Sequence, residues 1–328
     1  MANVHAIARQ QLYDSAQRGD AVQVQALLAA CGWVSKFDLD CALTAAVRND
    51  HANTVAVFAP RGPCAWTTPS CTTLLYRAVR HGSVHVAAFL VAAGASVNGA
   101  DVAYERPLYA AVAKGQLSCV SLLLAMKASI WAQGRTITAL HFAARFGHAD
   151  VAECLLRAKA DHRHTNDRCE TPLCLAAACM HEPVMRVLLG ARADVNPPSP
   201  CRSPLFAAAN WPRVPGVFGL LLGARADVNA PLDQEGYTAL SVAVSNGCPD
   251  TVLKLLLRGK ADVNATAMGG YMALHFAARS DRRSAARLLV RAKANVRAKT
   301  GSGCTAAAFA LDNDHFELAE YLDANAGR

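Results

Sequence analysis

The sequence repeats itself, and that constrains the fold more than any single motif in it. Around Leu140 the stretch TALHFAARFGHADVAECLLRAKADHR, residues 138–163, reads as two short helices joined by a turn. Equivalents of Leu140 fall at Leu12, Leu43, Leu75, Leu108, Leu173, Leu205, Leu240, Leu274 and, with alanine in its place, Ala307, at steps of 31 to 35 residues. A period of this size specifies a solenoid, in which each unit buries its apolar face only by stacking on its neighbours. Such an array overrides the two globular domains that 328 residues would otherwise suggest.

The unit has a physical logic. Thr138, Thr171, Ser203 and Thr238 stand where a helix N-cap belongs, their hydroxyls able to accept from an unpaired backbone N–H. Pro107, Pro172 and Pro204 stand at a first helical position, where a missing N–H costs nothing. The first helix offers Leu140, Ala143 and Ala144 to its neighbours, and the second offers Val151, Cys154 and Leu155, at helical spacing. Helices this short are marginal alone, so stacking must stabilise them. Hydrophobic residues make up 53% of the chain and aromatics only 6%, which suits many thin Ala/Leu/Val layers.

The fragments TALH, TPLC, SPLF and MALH, each followed by apolar and Ala positions, then by a Leu-rich helix and ADVN, resemble the ankyrin repeat. A tetratricopeptide array has a similar period, but its Trp, Gly and Tyr signature is missing. The resemblance implies an all-α ankyrin-repeat solenoid of stacked helix-turn-helix units with short β-hairpin-like loops. The expected organisation is one array over residues 1–328, with capping repeats at 1–31 and 303–328 and internal repeats over 38–297. Gln10, Gln11, Gln17 and Arg18 give the first repeat a polar outer side, and Glu317, Glu320 and Asp323 do so for the last. Two stretches break the pattern. Residues 60–71 hold three prolines and Trp66, expected to tuck against the stack; Pro212 and Pro215 should shorten the first helix of the seventh repeat and remodel its turn. The family places glycine before ADVN, in a left-handed conformation that ends the second helix. Gly94 keeps it, whereas Lys127, Lys159, Arg192, Arg225, Lys260 and Lys293 replace it and are expected to retain positive φ.

Other classes of function find little support. No apolar run reaches the roughly 18 residues of a membrane span, and the N-terminus lacks a signal-peptide core. Twelve cysteines occur without a Cys-x-x-Cys, and Cys169 and Cys201, equivalent in adjacent repeats, should lie about 10 Å apart, beyond disulfide reach. A reduced protein of the cytoplasm or nucleus is expected. Catalytic, phosphate-loop and dinucleotide fingerprints are missing. The densest ligand group, His162, His164, Cys169, Cys174 and Cys179, fits no standard zinc spacing, so a metal protein is only an alternative reading, and no cofactor is expected. His141 and His275 match the motif histidine, which the resemblance makes a structural hydrogen-bond bridge. Residues 279–299 hold eight cations and one anion, Asp281, nearly all of the net charge of +8. Arg283, Arg287 and Arg291 form one helix face there, a solvated surface or, alternatively, an anion-binding adaptor.

The family's implied role is non-enzymatic protein binding in a concave groove. Residues five and six after each marker leucine should end the first helix and face that groove. The expected partner-binding residues are Arg80, His81, Lys114, Arg145, Phe146, Asn210, Trp211, Asn246 and Arg279. Arg145, Phe146 and Trp211 form the expected hot spot, while Arg80 and Lys114 steer an acidic partner segment. A monomer is expected, without small-molecule substrate, membrane or nucleic acid. The resemblance also points to Asn98, Asn196, Asn229 and Asn264 as sites of asparaginyl hydroxylation; the favoured reading is structural, each bonding to its own backbone.

Overall fold

The computed structural model of the protein describes residues 2–30, 34–58, 68–99, 106–131, 137–198, 203–210, 215–230 and 235–326. They form helices in pairs, first and second of each repeat: α1 (Ala2–Arg18) and α2 (Ala21–Ala30), α3 (Lys36–Arg48) and α4 (Ala52–Phe58), α5 (Thr68–His81) and α6 (Val84–Ala92), α7 (Pro107–Ala113) and α8 (Leu117–Ala125), α9 (Ala139–Phe146) and α10 (Ala149–Arg157). The pairs continue as α11 (Pro172–Ala178) and α12 (Glu182–Gly190), α13 (Pro204–Ala209) and α14 (Pro215–Gly223), α15 (Ala239–Ser245) and α16 (Asp250–Arg258), α17 (Ala273–Arg279) and α18 (Arg283–Arg291), α19 (Ala306–Asp312) and α20 (Phe316–Ala326). The chain divides into two compact units, Met1–Ala160 and Asp161–Arg328. In each, first helices pack on first helices of adjacent repeats and second helices on second helices. Among the described residues the loops form no strand. Two isolated antiparallel bridges, Ala267 with Tyr271 and Lys299 with Thr305, mark the hairpin-like ones.

Helix starts follow the chemistry of their caps. Thr171, Ser203 and Thr238 accept from the backbone N–H three residues on, at 3.2 to 3.4 Å. Pro107, Pro172 and Pro204 each open their helix. The marker leucines are buried, as at Leu140 and Leu173, except Leu43, which is half-buried. Leu140, Ala143, Ala144, Val151 and Leu155 are all fully buried. Cys154 is not: it is half-exposed, and the third buried position of α10 belongs to Ala152, whose smaller side chain admits closer helix approach. Likewise α18 buries Ala285, Ala286 and Leu289, leaving Leu288 half-buried. The seventh repeat's first helix, α13, is only six residues long.

Both helices of a repeat end in the left-handed region. The first turn, seven residues after the marker, has positive φ at Gly19, Asp50, Gly82, Gly115, Gly147, Met180, Gly247, Asp281 and Asp314. In the seventh repeat that position is Pro212, and residues 211–214, with Trp211, lie outside the described residues, as do Trp66 and Cys201. The second turn keeps Gly94 at φ 97°, and Lys127, Lys159, Arg192, Arg225, Lys260 and Lys293 take φ between 61° and 68°. A side chain there costs about 1 kcal/mol relative to glycine, partly offset by a cation at a helix C-terminus, worth roughly 0.3–1 kcal/mol.

Two sets of hydrogen bonds then tie repeat to repeat. The loop asparagines do not bond to their own backbone, as the sequence suggested; they reach the next repeat. Asn229 donates from Nδ2 to the Lys260 carbonyl (3.1 Å), and its Oδ1 accepts from the Asp262 N–H (2.7 Å). Asn196 makes the same pair with Arg225 and Asp227, Asn264 with Lys293 and Asn295, and Asn98 Oδ1 accepts from the Ser129 N–H. The carbonyl that receives each Nδ2 belongs to the left-handed residue. On the other side of the repeat, turn side chains cap the preceding repeat's first helix: His51 Nε2 on the Gln17 carbonyl (3.0 Å), His148 on Ala113 (3.3 Å), Arg282 on Val244 (3.2 Å) and His315 on Arg279 (3.3 Å). These carbonyls would otherwise lack an intrahelical partner.

One motif histidine bridges to the next repeat as expected. His275 is buried, its Nδ1 accepts from the Met272 N–H (3.0 Å), and so its proton sits on Nε2, which donates to the Ala298 carbonyl of the next repeat (3.2 Å). In the fifth repeat, the Thr138 N–H donates to buried His141 Nδ1 at 3.2 Å. Cys174 takes this place in the sixth repeat, receiving the Thr171 hydroxyl at 3.3 Å, and Ser241 takes it in the eighth.

Three outcomes follow for stability in urea or on heating. Lys159→Gly should leave stability unchanged or raise it by up to about 1 kcal/mol, since it relieves left-handed strain and loses only a helix-end cation; a clear loss would show that the side chain does something else. Asn229→Ala strips partners from two backbone groups, and because the site is exposed, water replaces part of the loss, so a cost near the low end of roughly 1–3 kcal/mol is expected. Burial holds His275 below its ordinary value of 6.5. The unfolded chain therefore binds that proton first, so stability is intact above the ordinary value and declines as pH falls below it. Melting temperatures at neutral and mildly acidic pH should differ less in His275→Gln than in the parent protein.

Candidate partner-binding surface

First helices end on side chains that the packing leaves outside. In the N-terminal unit α3, α5, α7 and α9 lie side by side, and the stack offers Arg48, Arg80, His81, Lys114, Arg145 and Phe146, one or two from each repeat, all exposed. Partial desolvation at the helix end, and then the positive charges of Arg48, Arg80 and Lys114, hold His81 below its ordinary pKa. Those three cations, from three successive repeats, therefore share one surface and act on one another's surroundings. The acid nearest in sequence, Asp50, is engaged elsewhere, accepting from the Val86 N–H (2.9 Å) and lying 2.7 Å from His85 Nδ1.

Phe146 is 46% exposed and packs against two other rings. Its ring lies 6.1 Å from Phe142 and stacks at 6.4 Å on His148, while Phe142 meets Tyr109 edge-on at 5.5 Å. His148 is itself pinned by its bond to the Ala113 carbonyl. Phe146 thus presents a pre-ordered aromatic edge beside Arg145. Sequence reading missed the supporting pair Phe142 and His148; the four-residue spacing of Phe142 and Phe146 on a helix was the signal for one of them.

The C-terminal unit differs. Asn246 Nδ2 donates to Asn210 Oδ1 (3.2 Å) and lies 3.4 Å from the Ala209 carbonyl, so these two expected contact residues serve to join repeats seven and eight. The Arg279 side chain is exposed, and its carbonyl takes the His315 bond. Trp211 lies outside the described residues.

Four cations of the basic ninth repeat are engaged within it or by its neighbours. Arg283 pairs with Asp281 (3.0 Å) and with Glu317 of the closing repeat. Arg287 sits 5.7 Å above the Tyr321 ring, Arg297 donates to the Ala326 carbonyl at 2.7 Å, and Arg282 bonds the Val244 and Cys248 carbonyls. Arg283 and Arg287 of the helix face that read as a possible anion site thus reach the closing repeat, while Arg291 of the same face is exposed.

Chemistry at a reactive site finds no support among the described residues. Burial pushes the Cys119 thiol up to about 11 and the Cys248 thiol to about 12, leaving both protonated at neutral pH. Among the described residues, no group of three or more His, Cys, Asp or Glu side chains gathers to hold a metal ion. Of the suspected cluster of His162, His164, Cys169, Cys174 and Cys179, Cys174 is buried against Thr171, Cys179 is exposed, and Cys169 closes a turn at φ 56°. No described helix is long and apolar enough to cross a membrane.

Comparison with known proteins agrees with this architecture. No curated protein matches the chain. Among solved structures, the human ASB11 ankyrin repeat domain superposes with a TM-score of 0.60 at 26% identity, over 67% of this chain and 97% of that one. The ankyrin repeat domain of Bcl-3, a member of the IkappaB protein family, superposes with a TM-score of 0.55 at 26% identity, over 65% of this chain and 97% of its own. A family profile described as Ankyrin repeats (3 copies) matches residues 108–199, 205–300 and 252–327. With its paired helices, left-handed turns and inter-repeat asparagine bonds, the chain belongs to the ankyrin-repeat family.

Proposed function

We propose that the protein is a binding module whose N-terminal unit holds an acidic segment of a partner protein along its first-helix ends. Ankyrin repeats are in general protein–protein interaction modules. The observation that carries the finer reading is the row of exposed cations Arg48, Arg80 and Lys114 on the ends of adjacent first helices, ending at Arg145 and the ring-packed Phe146. Arginines and aromatics supply most hot-spot energy in interfaces, and a one-signed row on a rigid scaffold speeds encounter with an oppositely charged partner. Four or five repeats at about 10 Å each span a standard interface of roughly 1,600 Å². The reading leaves Asn210 and Asn246 to their structural bond and gives the convex arginines no part in recognition.

A random peptide library displayed on phage and panned against the full chain tests this. Acid-rich peptides should be recovered, and their binding should weaken steeply as salt rises from about 50 to about 500 mM. Arg145→Ala and Phe146→Ala should each weaken them by more than about fivefold, equivalent to about 1 kcal/mol, with the melting temperature nearly unchanged. Recovery of neutral peptides alone, or binding that survives both changes and fails on Arg287→Ala and Arg291→Ala, overturns the proposal.

A further inference from the structure

A pocket opens beside the first helix of the second repeat, at the head of the cationic row. That helix, α3, has 13 residues against eight in α9, an N-terminal extension that α1 and α5 share. Ser35 caps the extension in α3, accepting from the Asp38 N–H at 3.2 Å. In the ninth repeat the residue after the marker, His275, is buried beneath the loop that carries Ala298. In the second repeat the same position is Thr44, half-buried, and the marker Leu43 is half-buried as well. The space is an open groove of about 380 Å³ between α1 and α3, lined by Tyr13, Phe37, Asp40, Cys41, Thr44 and Arg48. Phe37, Cys41, Thr44 and Arg48 follow helical spacing along one face of α3.

Three observations say what this groove takes. Phe37 is 75% exposed and Tyr13 38%, so two aromatic rings stand at its rim in water. The volume is at the small end of the roughly 300–1,000 Å³ typical of ligand pockets, which suits a single apolar side chain. Its lining ends at Arg48, the first cation of the row that continues through Arg80 and Lys114 and lowers the His81 pKa. Asp40, the one acid of the lining, disfavours a carboxylate in the pocket itself and so separates the apolar anchor from the acids that follow. Across the repeat boundary the Arg77 guanidinium donates to Thr44 Oγ1 at 3.3 Å, joining the pocket to the third repeat.

We infer that this groove is an anchor subsite for one aromatic or large aliphatic side chain of an extended, acidic peptide whose carboxylates then lie on Arg80 and Lys114, one and two repeats beyond the pocket. The inference rests on the acidic-segment reading above and adds the anchor and its spacing. Repeats stack about 10 Å apart and an extended chain advances about 3.3 Å per residue, so one repeat corresponds to about three residues. The motif is therefore apolar-x-x-acid-x-x-acid, with the apolar residue over the second repeat.

Two fluorescein-labelled peptides test it by polarisation with the full chain: Phe-Ser-Ser-Glu-Ser-Ser-Glu-Ser-Ser-Glu, and the same peptide with serine at its head. The phenylalanine peptide should bind about tenfold tighter or more. Phe37→Ala, and independently Thr44→Trp, which fills the groove, should bring it down to the level of the serine peptide while leaving the serine peptide unaffected. Thermal melts of both variants confirm that they fold. If phenylalanine confers no gain, or the gain survives both changes, the anchor is wrong, and loss of the serine peptide in Arg80→Glu would show the acidic-segment reading standing without it. If neither peptide binds, or neither responds to Arg80→Glu with Lys114→Glu, both readings fall.

Discussion

An asparagine side chain that grips the backbone of the following repeat, by one accepted and one donated hydrogen bond, sets the spacing on which the rest of this structure depends. At Asn196, Asn229 and Asn264 the donated bond goes to the carbonyl of Arg225, Lys260 or Lys293, each at positive φ. The left-handed residue ends one helix and turns its carbonyl toward the neighbour, so strain at one position and a bond at another belong to a single device. On the opposite side of the repeat, His51, His148, Arg282 and His315 do the same for the ends of the first helices. Between these two lines of bonds the layers are thin, made of leucine, valine and alanine. Each repeat meets only its neighbours, so its register must be held locally.

Much of this was legible in the sequence because it depends on residues close together in the chain. The spacing of marker leucines reveals the stack, since a buried leucine is needed once per layer. Threonine or serine before proline at the starts of α11 and α13 announces caps whose partners are three residues away. The six cations in place of glycine could be read as left-handed because the turn demands it whatever the side chain. Exposure at Arg80, Lys114, Arg145 and Phe146 also follows from helix phase alone.

What was not legible crosses from one repeat to the next. The partners of Asn229 lie 31 and 33 residues away, so reading the loop by its own chemistry suggested a bond to itself. Arg283 and Arg287 looked like a free cationic face because Glu317 and Tyr321, about one repeat further on, give no sign in the sequence of reaching back. The bond of Asn210 to Asn246, 36 residues later, likewise gave no sign in the sequence. The N-terminal extension of α3 was hidden for another reason: KFDLD is as ready to be loop as helix until the serine cap and the stack decide.

One feature separates folding from recognition at the same residues. Arg279 gives its carbonyl to His315 and its side chain to solvent; Ala113 gives its carbonyl to His148 just before Lys114 turns outward. Because the backbone bears the structural duty, the outward side chains answer to no interior constraint. Natural drift can rewrite what this surface grips, one position at a time, without asking the scaffold to refold around each change. The same independence makes the row of helix ends an address that can be edited by hand, with the cations exchanged for other charges to redirect the protein toward a different target.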